Sequence, residues 1–154
     1  MVSIEIDQKS FDNLNKQMEI LKEGTPRSLY SALTKIGYKI KSEAQIRLRG
    51  KNHIVTSRLR NSLFVKTKSK DSLSYQDSKG HSFVSDLRSI RVDENEIAIG
   101  TNVEYAEKIE NLDSYIQWAT MNVDISKSVQ DDMQKTIENM MKFGLGVIPQ
   151  PTTK

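Results

Sequence analysis

Residues 26–49 read Pro-Arg-Ser-Leu-Tyr-Ser-Ala-Leu-Thr-Lys-Ile-Gly-Tyr-Lys-Ile-Lys-Ser-Glu-Ala-Gln-Ile-Arg-Leu-Arg. Leu29, Leu33, Ile36, Ile40, Ala44 and Leu48 recur every three or four positions, which places them on one face of an α-helix. Lys35, Lys39, Lys41, Arg47 and Arg49 fill the remaining arc. Thr25 reads as the N-cap, Pro26 as the first helical residue and Gly50 as the stop. A helix this long, roughly 36 Å at 1.5 Å per residue, is the organising element of the chain.

Upstream, Val2, Ile4 and Ile6 alternate with Ser3, Glu5 and Asp7, the pattern of a short half-buried strand. Ser10 reads as the cap of a first helix carrying Phe11, Leu14, Met18 and Leu21 on one face, ended by Gly24-Thr25-Pro26. Downstream, residues 51–61 are polar and basic and read as a loop. A strand begins near Ser62, with Leu63, Val65 and Thr67 alternating against Phe64, Lys66 and Lys68. Residues 69–82 read as a long exposed connection, and a second strand spans Phe83–Val92. Asp93-Glu94-Asn95 is a turn before a strand over Glu96–Thr101.

Tyr105, Ile109, Leu112, Ile116, Ala119 and Val123 predict a helix over 103–121, with Asn111-Leu112-Asp113 as a point of breakage. Asp124 or Ser126 caps a last helix bearing Val129, Met133, Ile137, Met140 and Met141. Ser128 and Asp131 resemble a capping box, and Gly144 and Gly146 end the helix. The expected fold is α+β: a small antiparallel sheet of about four strands packed by the long helix, with N- and C-terminal helices. Residues 1–146 form one domain and 147–154 an extended tail.

The 154 residues are 36% hydrophobic and 28% charged, a lean apolar content that suits an extended domain or one completing its core against other subunits. No cysteine is present, which removes disulfides, thiol catalysis and cysteine metal sites. No apolar run approaches membrane-spanning length, and the N-terminal residues lack the basic and apolar regions of a secretory signal. Charge is segregated along the chain. Residues 26–70 carry 12 Lys and Arg against Glu43, and residues 93–141 carry 11 Asp and Glu against three Lys. Such complementary blocks suit self-association, and the basic one also suits nucleic acid.

Catalytic patterns are missing. Gly144-Leu145-Gly146 lacks a third glycine and follows a helix, Asp131-Asp132 reads as helix first-turn acids, and His53 and His81 are loop histidines. Trp118 and Tyr115 read as core or interface residues, and the Met133, Met140 and Met141 group as an adaptable packing face. No enzyme activity, cofactor or metal is expected.

Two stretches carry further information: His53-Ile54-Val55-Thr56-Ser57-Arg58-Leu59-Arg60-Asn61-Ser62-Leu63 and Ile99-Gly100-Thr101-Asn102-Val103-Glu104-Tyr105-Ala106-Glu107-Lys108-Ile109-Glu110. In this order, after a long basic helix, residues 26–142 resemble the head–tail joining proteins of long-tailed bacteriophages. These are the neck or tail-completion proteins related to gene product ten of the lambdoid HK phages, which pair a T-G-x-L-R-x-S loop with a G-T/S-x-x-x-Y-A-x-x-x-E stretch. Ser57 stands where that loop has glycine, Asn111-Leu112-Asp113 stands where F-G-T is usual, and no Arg-Pro-Phe precedes the last helix.

The resemblance implies a structural virion protein of the neck, present in host cytoplasm during assembly. It implies a homo-oligomeric ring, hexameric or dodecameric. The implied neighbours are a portal-side connector or head-completion protein, a tail terminator or tail-tube protein, and genomic double-stranded DNA in the lumen; no membrane is implied. Thr56 and Ser57 read as hydroxyl caps of a short turn, with Leu59 and Leu63 pinning it to the core. Arg58, Arg60 and Asn61 then face a partner as donors to a carboxylate on a neighbouring subunit or to a DNA phosphate, Glu104, Glu107 and Glu110 are the candidate carboxylates, and Tyr105 buries its ring with its hydroxyl at the interface. Gly100 is expected to admit a close backbone approach or a turn as strand gives way to helix. Residues 69–82 and the tail are expected docking arms. The alternative is a nucleic-acid-binding module using the basic 35–70 region, with Lys35, Lys39, Arg47 and Arg49 facing DNA.

Overall fold

The computed structural model describes residues 8–50 and 57–144. The strand expected over 2–7, residues 53–56 of the first motif and the tail 147–154 lie outside the described residues. The architecture is α+β, with a dominant long helix as expected. That helix, α1 (Gln8–Gly50), runs 43 residues without interruption, about 65 Å.

The two helices read on either side of Gly24-Thr25-Pro26 are therefore one. Proline removes a single amide, leaving only the Lys22 carbonyl without its usual helical donor, and the chain carries the helix past it. The hydroxyls here bond back into α1: Thr25 Oγ1 donates to the Leu21 carbonyl at 2.7 Å and Ser28 Oγ to the Thr25 carbonyl at 3.0 Å. Thr25 is an interior residue instead of a cap, and Ser10 likewise lies inside the helix. The buried stripe of the C-terminal half is Ala32, Ile36, Ile40, Ala44 and Leu48, whereas Leu29 and Leu33 are only half-buried.

After α1 come α2 (Arg58–Ser62), β1 (Phe64–Lys66), β2 (Ser72–Gln76), β3 (Ser82–Asp86) and β4 (Ala98–Gly100). The helices α3 (Ala106–Asp113), α4 (Tyr115–Asn122) and α5 (Ile125–Phe143) complete the order. The four strands pair two and two. β1 is antiparallel to β4 with Val65 opposite Ile99, and β2 is antiparallel to β3 with Tyr75 opposite Phe83. The expected long connection over 69–82 thus contains β2 and the hairpin turn. The strand read to Val92 ends at Asp86, and its Val84 faces solvent.

β1 departs from alternation: Phe64, Val65 and Lys66 are all buried. Lys66 is held there by its ammonium, which donates to the Lys70 carbonyl and lies 3.2 Å from Asp71 Oδ1. Close approach to α1 is set by Gly37. A Cβ on this residue would stand 2.7 Å from both Val65 Cγ1 and Ile97 Cδ1. At Gly100, the last residue of β4, the crowding comes from a side chain: a Cβ there would come within 3.2 Å of the Phe64 ring.

The core gathers Ile36, Ile40, Ala44 and Leu48 of α1, Leu59 and Leu63 around α2, and Val103, Ala106, Tyr115, Ala119 and Val123. The helix expected over 103–121 breaks at Ser114, which takes a left-handed conformation (φ 46°) just past Asn111-Leu112-Asp113. Asp124 caps α5 by accepting from the Lys127 amide at 3.0 Å, and Gly144 (φ 84°) ends it. Ser128 lies inside α5, so the Ser128–Asp131 capping box does not form.

Candidate functional site

The first motif folds as a single helical turn on a left-handed entry. Ser57, at φ 55°, adopts the conformation that glycine tolerates best, and its carbonyl accepts from the Asn61 amide at 2.9 Å. Its hydroxyl does not bond the turn as a cap, so the hydroxyl-cap expectation fails for Ser57. Leu59 and Leu63 are buried and pin the turn as expected. Gln45 of α1 donates its side-chain amide to the Arg60 carbonyl at 2.9 Å.

The second motif runs from β4 into α3 and meets the first directly. Ser62 Oγ and Thr101 Oγ1 lie 2.5 Å apart, and Phe64 is opposite Gly100 in the β1–β4 ladder. Both motifs then grip the β2–β3 hairpin. Asn61 donates its side-chain amide to the Gln76 carbonyl at 2.6 Å, and the Arg58 guanidinium lies 4.5 Å from the Phe83 ring centroid. From the second motif, Asn102 donates to the Asp86 carbonyl at 3.1 Å.

The hairpin itself is built for rigidity at both ends. Phe83 stacks on Tyr75 at 5.4 Å on its inner face. At its tip, the Asp77 carboxylate accepts from the amides of Lys79 (2.9 Å) and His81 (3.0 Å), and its second oxygen lies 3.1 Å from His81 Nδ1. Burial opposes the charge on Asp77, but these contacts with His81 and Lys79 outweigh it and hold the carboxyl below its ordinary range. Near the base, Arg88 clamps Asp86 through its side chain and backbone amide, drawing that carboxyl down to about 2. The outer face presents Ser72, Ser74, Gln76, Ser82, Val84 and Asp86 to solvent.

The expected site residues divide accordingly. Arg58 does not point outward; it packs on Phe83. Asn61 is engaged with the hairpin, and Arg60 Nε reaches Asn61 Oδ1 at 3.4 Å. Tyr105 and Glu107 are exposed. Glu110 has an internal task, its two carboxylate oxygens accepting from the Ile116 (3.0 Å) and Gln117 (3.1 Å) amides at the start of α4. Next to it, the buried Tyr115 hydroxyl is pushed up to about 12, first by burial and then by the Glu110 charge.

Of the residues read as facing DNA, Lys39 and Arg49 are exposed. Lys35 pairs with Asp132 at 3.2 Å, and Arg47 turns inward, its guanidinium carbon 5.1 Å from the Trp118 ring centroid. Lys41 was read only as part of the basic arc of the helix, and Lys70 only within the basic 35–70 region. They stand near one another, and burial followed by the Lys70 charge lowers the Lys41 pKa. The basic spacing of 35–70 contained that signal, but which lysines converge depends on where the β1–β2 loop lands on α1.

Among the described residues no group of three or more acids and histidines is placed to hold a metal, and no helix is long and apolar enough to cross a membrane. Comparison with protein-family models, with curated proteins and with solved structures found no match to the chain.

Proposed function

We propose that this chain is a structural virion protein of the phage neck, assembling as a ring that joins or completes the interface between connector and tail tube without chemical turnover. The observation that carries the reading is the convergence of the two motif stretches. Separated by more than thirty residues in sequence, they meet through Ser62 and Thr101 and together clasp one projecting hairpin through Asn61, Arg58 and Asn102. A motif pair whose work is to aim a hairpin fits a joining role, in which a firmly held arm engages the next layer. In this reading the ring stacks between the portal-side connector and the tail terminator or tube, and DNA passes through its lumen.

The test is electron microscopy of lysates from a phage or induced prophage lacking this gene. Full heads and finished tails lying apart are the expected result. Missing or overlong tails would reassign the protein to tail assembly, and normal infectious particles would overturn the proposal.

A further inference from the structure

The N-terminal part of α1 carries apolar side chains that the described fold leaves bare. Residues 12–19 are all exposed, Ile20 is half-buried, and among the described residues of α1 Gly24 is the first to be buried. Yet Leu14 and Met18 stand 53% and 60% exposed on this stretch, with Leu21 beside them at 36%. Met18 precedes Ile36, and Leu21 precedes Lys39, by eighteen residues, which is five full helical turns. The stripe therefore lies on the same side of α1 as Lys35, Ile36 and Lys39, the side that faces Ser128, Asp131 and Asp132 of α5. Met18 and Leu21 also line a shallow hollow with Asn15, Thr25 and Pro26.

α5 runs antiparallel to α1 and stops where this stripe begins. Arg47 packs on Trp118 ahead of α5, and Lys35 pairs with Asp132 within it, so the chain advances toward the N-terminal end of α1. Eleven residues lead from Asp132 to Phe143, about 16 Å of helix, which brings the end of α5 level with Gly24. There Gly144 closes the helix, its amide bonded to the Met140 carbonyl at 2.8 Å. Beyond the described residues the sequence continues Leu145-Gly146-Val147-Ile148. Four residues reach at most about 14 Å, and the rise along α1 from Leu21 to Leu14 is about 10 Å.

We propose that Leu145–Ile148 seats on the Leu14–Met18–Leu21 stripe of its own chain, taking over from α5 as the cover of this side of α1. The contact is apolar and calls for no charge across it. A segment tethered at the edge of the stripe has an effective concentration in the millimolar range, which a second copy at micromolar concentration does not match. Residues 1–7 enter from the opposite end. Leu21 is about 20 Å along the helix from Gln8, and a chain arriving there has to reverse before it can lie on α1. The inference goes beyond the ring reading and does not depend on it.

The chain has no native cysteine, so paired cysteines give a direct test. Full-length Met18→Cys/Val147→Cys is oxidised with diamide at micromolar concentration alongside Ile46→Cys/Val147→Cys, whose first cysteine replaces an exposed residue in the C-terminal half of α1. Circular dichroism confirms the fold of each. The expected result is a disulfide within one chain that forms at least about tenfold faster in the first pair than in the second. Adding Leu21→Asp to the first pair slows it. Equal rates in the two pairs overturn the proposal, and so does a rate indifferent to Leu21→Asp. Disulfide-linked dimers as the main product assign the stripe to a second copy. Cross-linking of Ile4→Cys/Met18→Cys in place of Met18→Cys/Val147→Cys assigns it to residues 1–7. Either of these last results also overturns the seating of the tail.

Discussion

Gly37→Ala sets two opposing effects against each other at a position where the structure decides the sign. In an uncrowded helix interior the change is stabilising by about 1 kcal/mol, because glycine loses more backbone freedom on folding than alanine. At Gly37 the new methyl arrives 2.7 Å from Val65 Cγ1 and Ile97 Cδ1. Carbon atoms rest at about 3.5–4.0 Å, so each contact is short by roughly 1 Å. Ile97 offers the tip of a flexible chain and can swing away. Val65 is β-branched, wholly buried and fixed by the ladder with β4, so relief requires β1 to move off α1. Overpacking of this kind costs about 1–3 kcal/mol, which leaves a net loss of about 1 kcal/mol and a melting temperature lower by about 2–4 °C.

Gly50→Ala is the control, since a Cβ there meets nothing within 4 Å and keeps only the propensity gain, about 0.5 kcal/mol at a helix end. Chemical denaturation of both variants, with Val65→Ala added to the first, completes the measurement. Val65→Ala should cost less in the Gly37→Ala background than alone, because it removes the obstructing methyl. If Gly37→Ala stabilises as much as Gly50→Ala, the close seating of β1 on α1 is wrong.

The strained entry to α2 predicts that Ser57→Gly stabilises by about 1 kcal/mol, read as a higher denaturation midpoint; a loss would refute the left-handed assignment. Asp124→Ala should cost about 1 kcal/mol by removing the acceptor of the Lys127 amide, with Asp124→Asn largely retaining stability; equal loss in both would show that capping is not the cause. Pro26→Ala restores a donor for the Lys22 carbonyl, so hydrogen exchange of residues 12–25 should slow, and unchanged exchange would contradict a continuous α1. Asp86 should titrate by carbon-detected NMR near pH 2 and return toward 3.8 in Arg88→Ala. A carboxyl lowered in the folded state contributes stability above its unfolded value that fades as pH falls through the folded one, so the Asp86–Arg88 clamp loosens only in strong acid.

The periodicity of 26–49 located the central helix because its apolar residues face one continuous core, and a long amphipathic stripe is the strongest signal a sequence holds. Its start was misread for a physical reason. Cap and stop signals report local preference, whereas here the hydroxyls of Thr25 and Ser28 bond back into the helix and proline costs it a single amide, so α1 continues through that point. β1 escaped the alternation rule because both its faces are covered, and burying Lys66 takes a carbonyl and a carboxylate from a loop whose return path no spacing rule encodes. The β2–β3 hairpin escaped because its outer face is serine, glutamine and an exposed valine, and its inner face owes its partial burial to aromatic stacking and an arginine from another element.

The motif residues show the same division between what is local and what is placed. The strain at Ser57 belongs to that one residue, which holds a left-handed backbone at φ 55°. The place of Arg58 was not legible in the sequence, because an arginine one position along a turn points wherever the nearest aromatic or anion stands, and Phe83 stands there only once the hairpin has folded back. Glu110 follows the same logic: two free amides at the start of α4 claim its carboxylate because Ser114 reverses the chain within reach. The basic and acidic blocks of the sequence meet inside the fold at Lys35–Asp132 and Lys68–Glu94, so part of their attraction is spent within the chain.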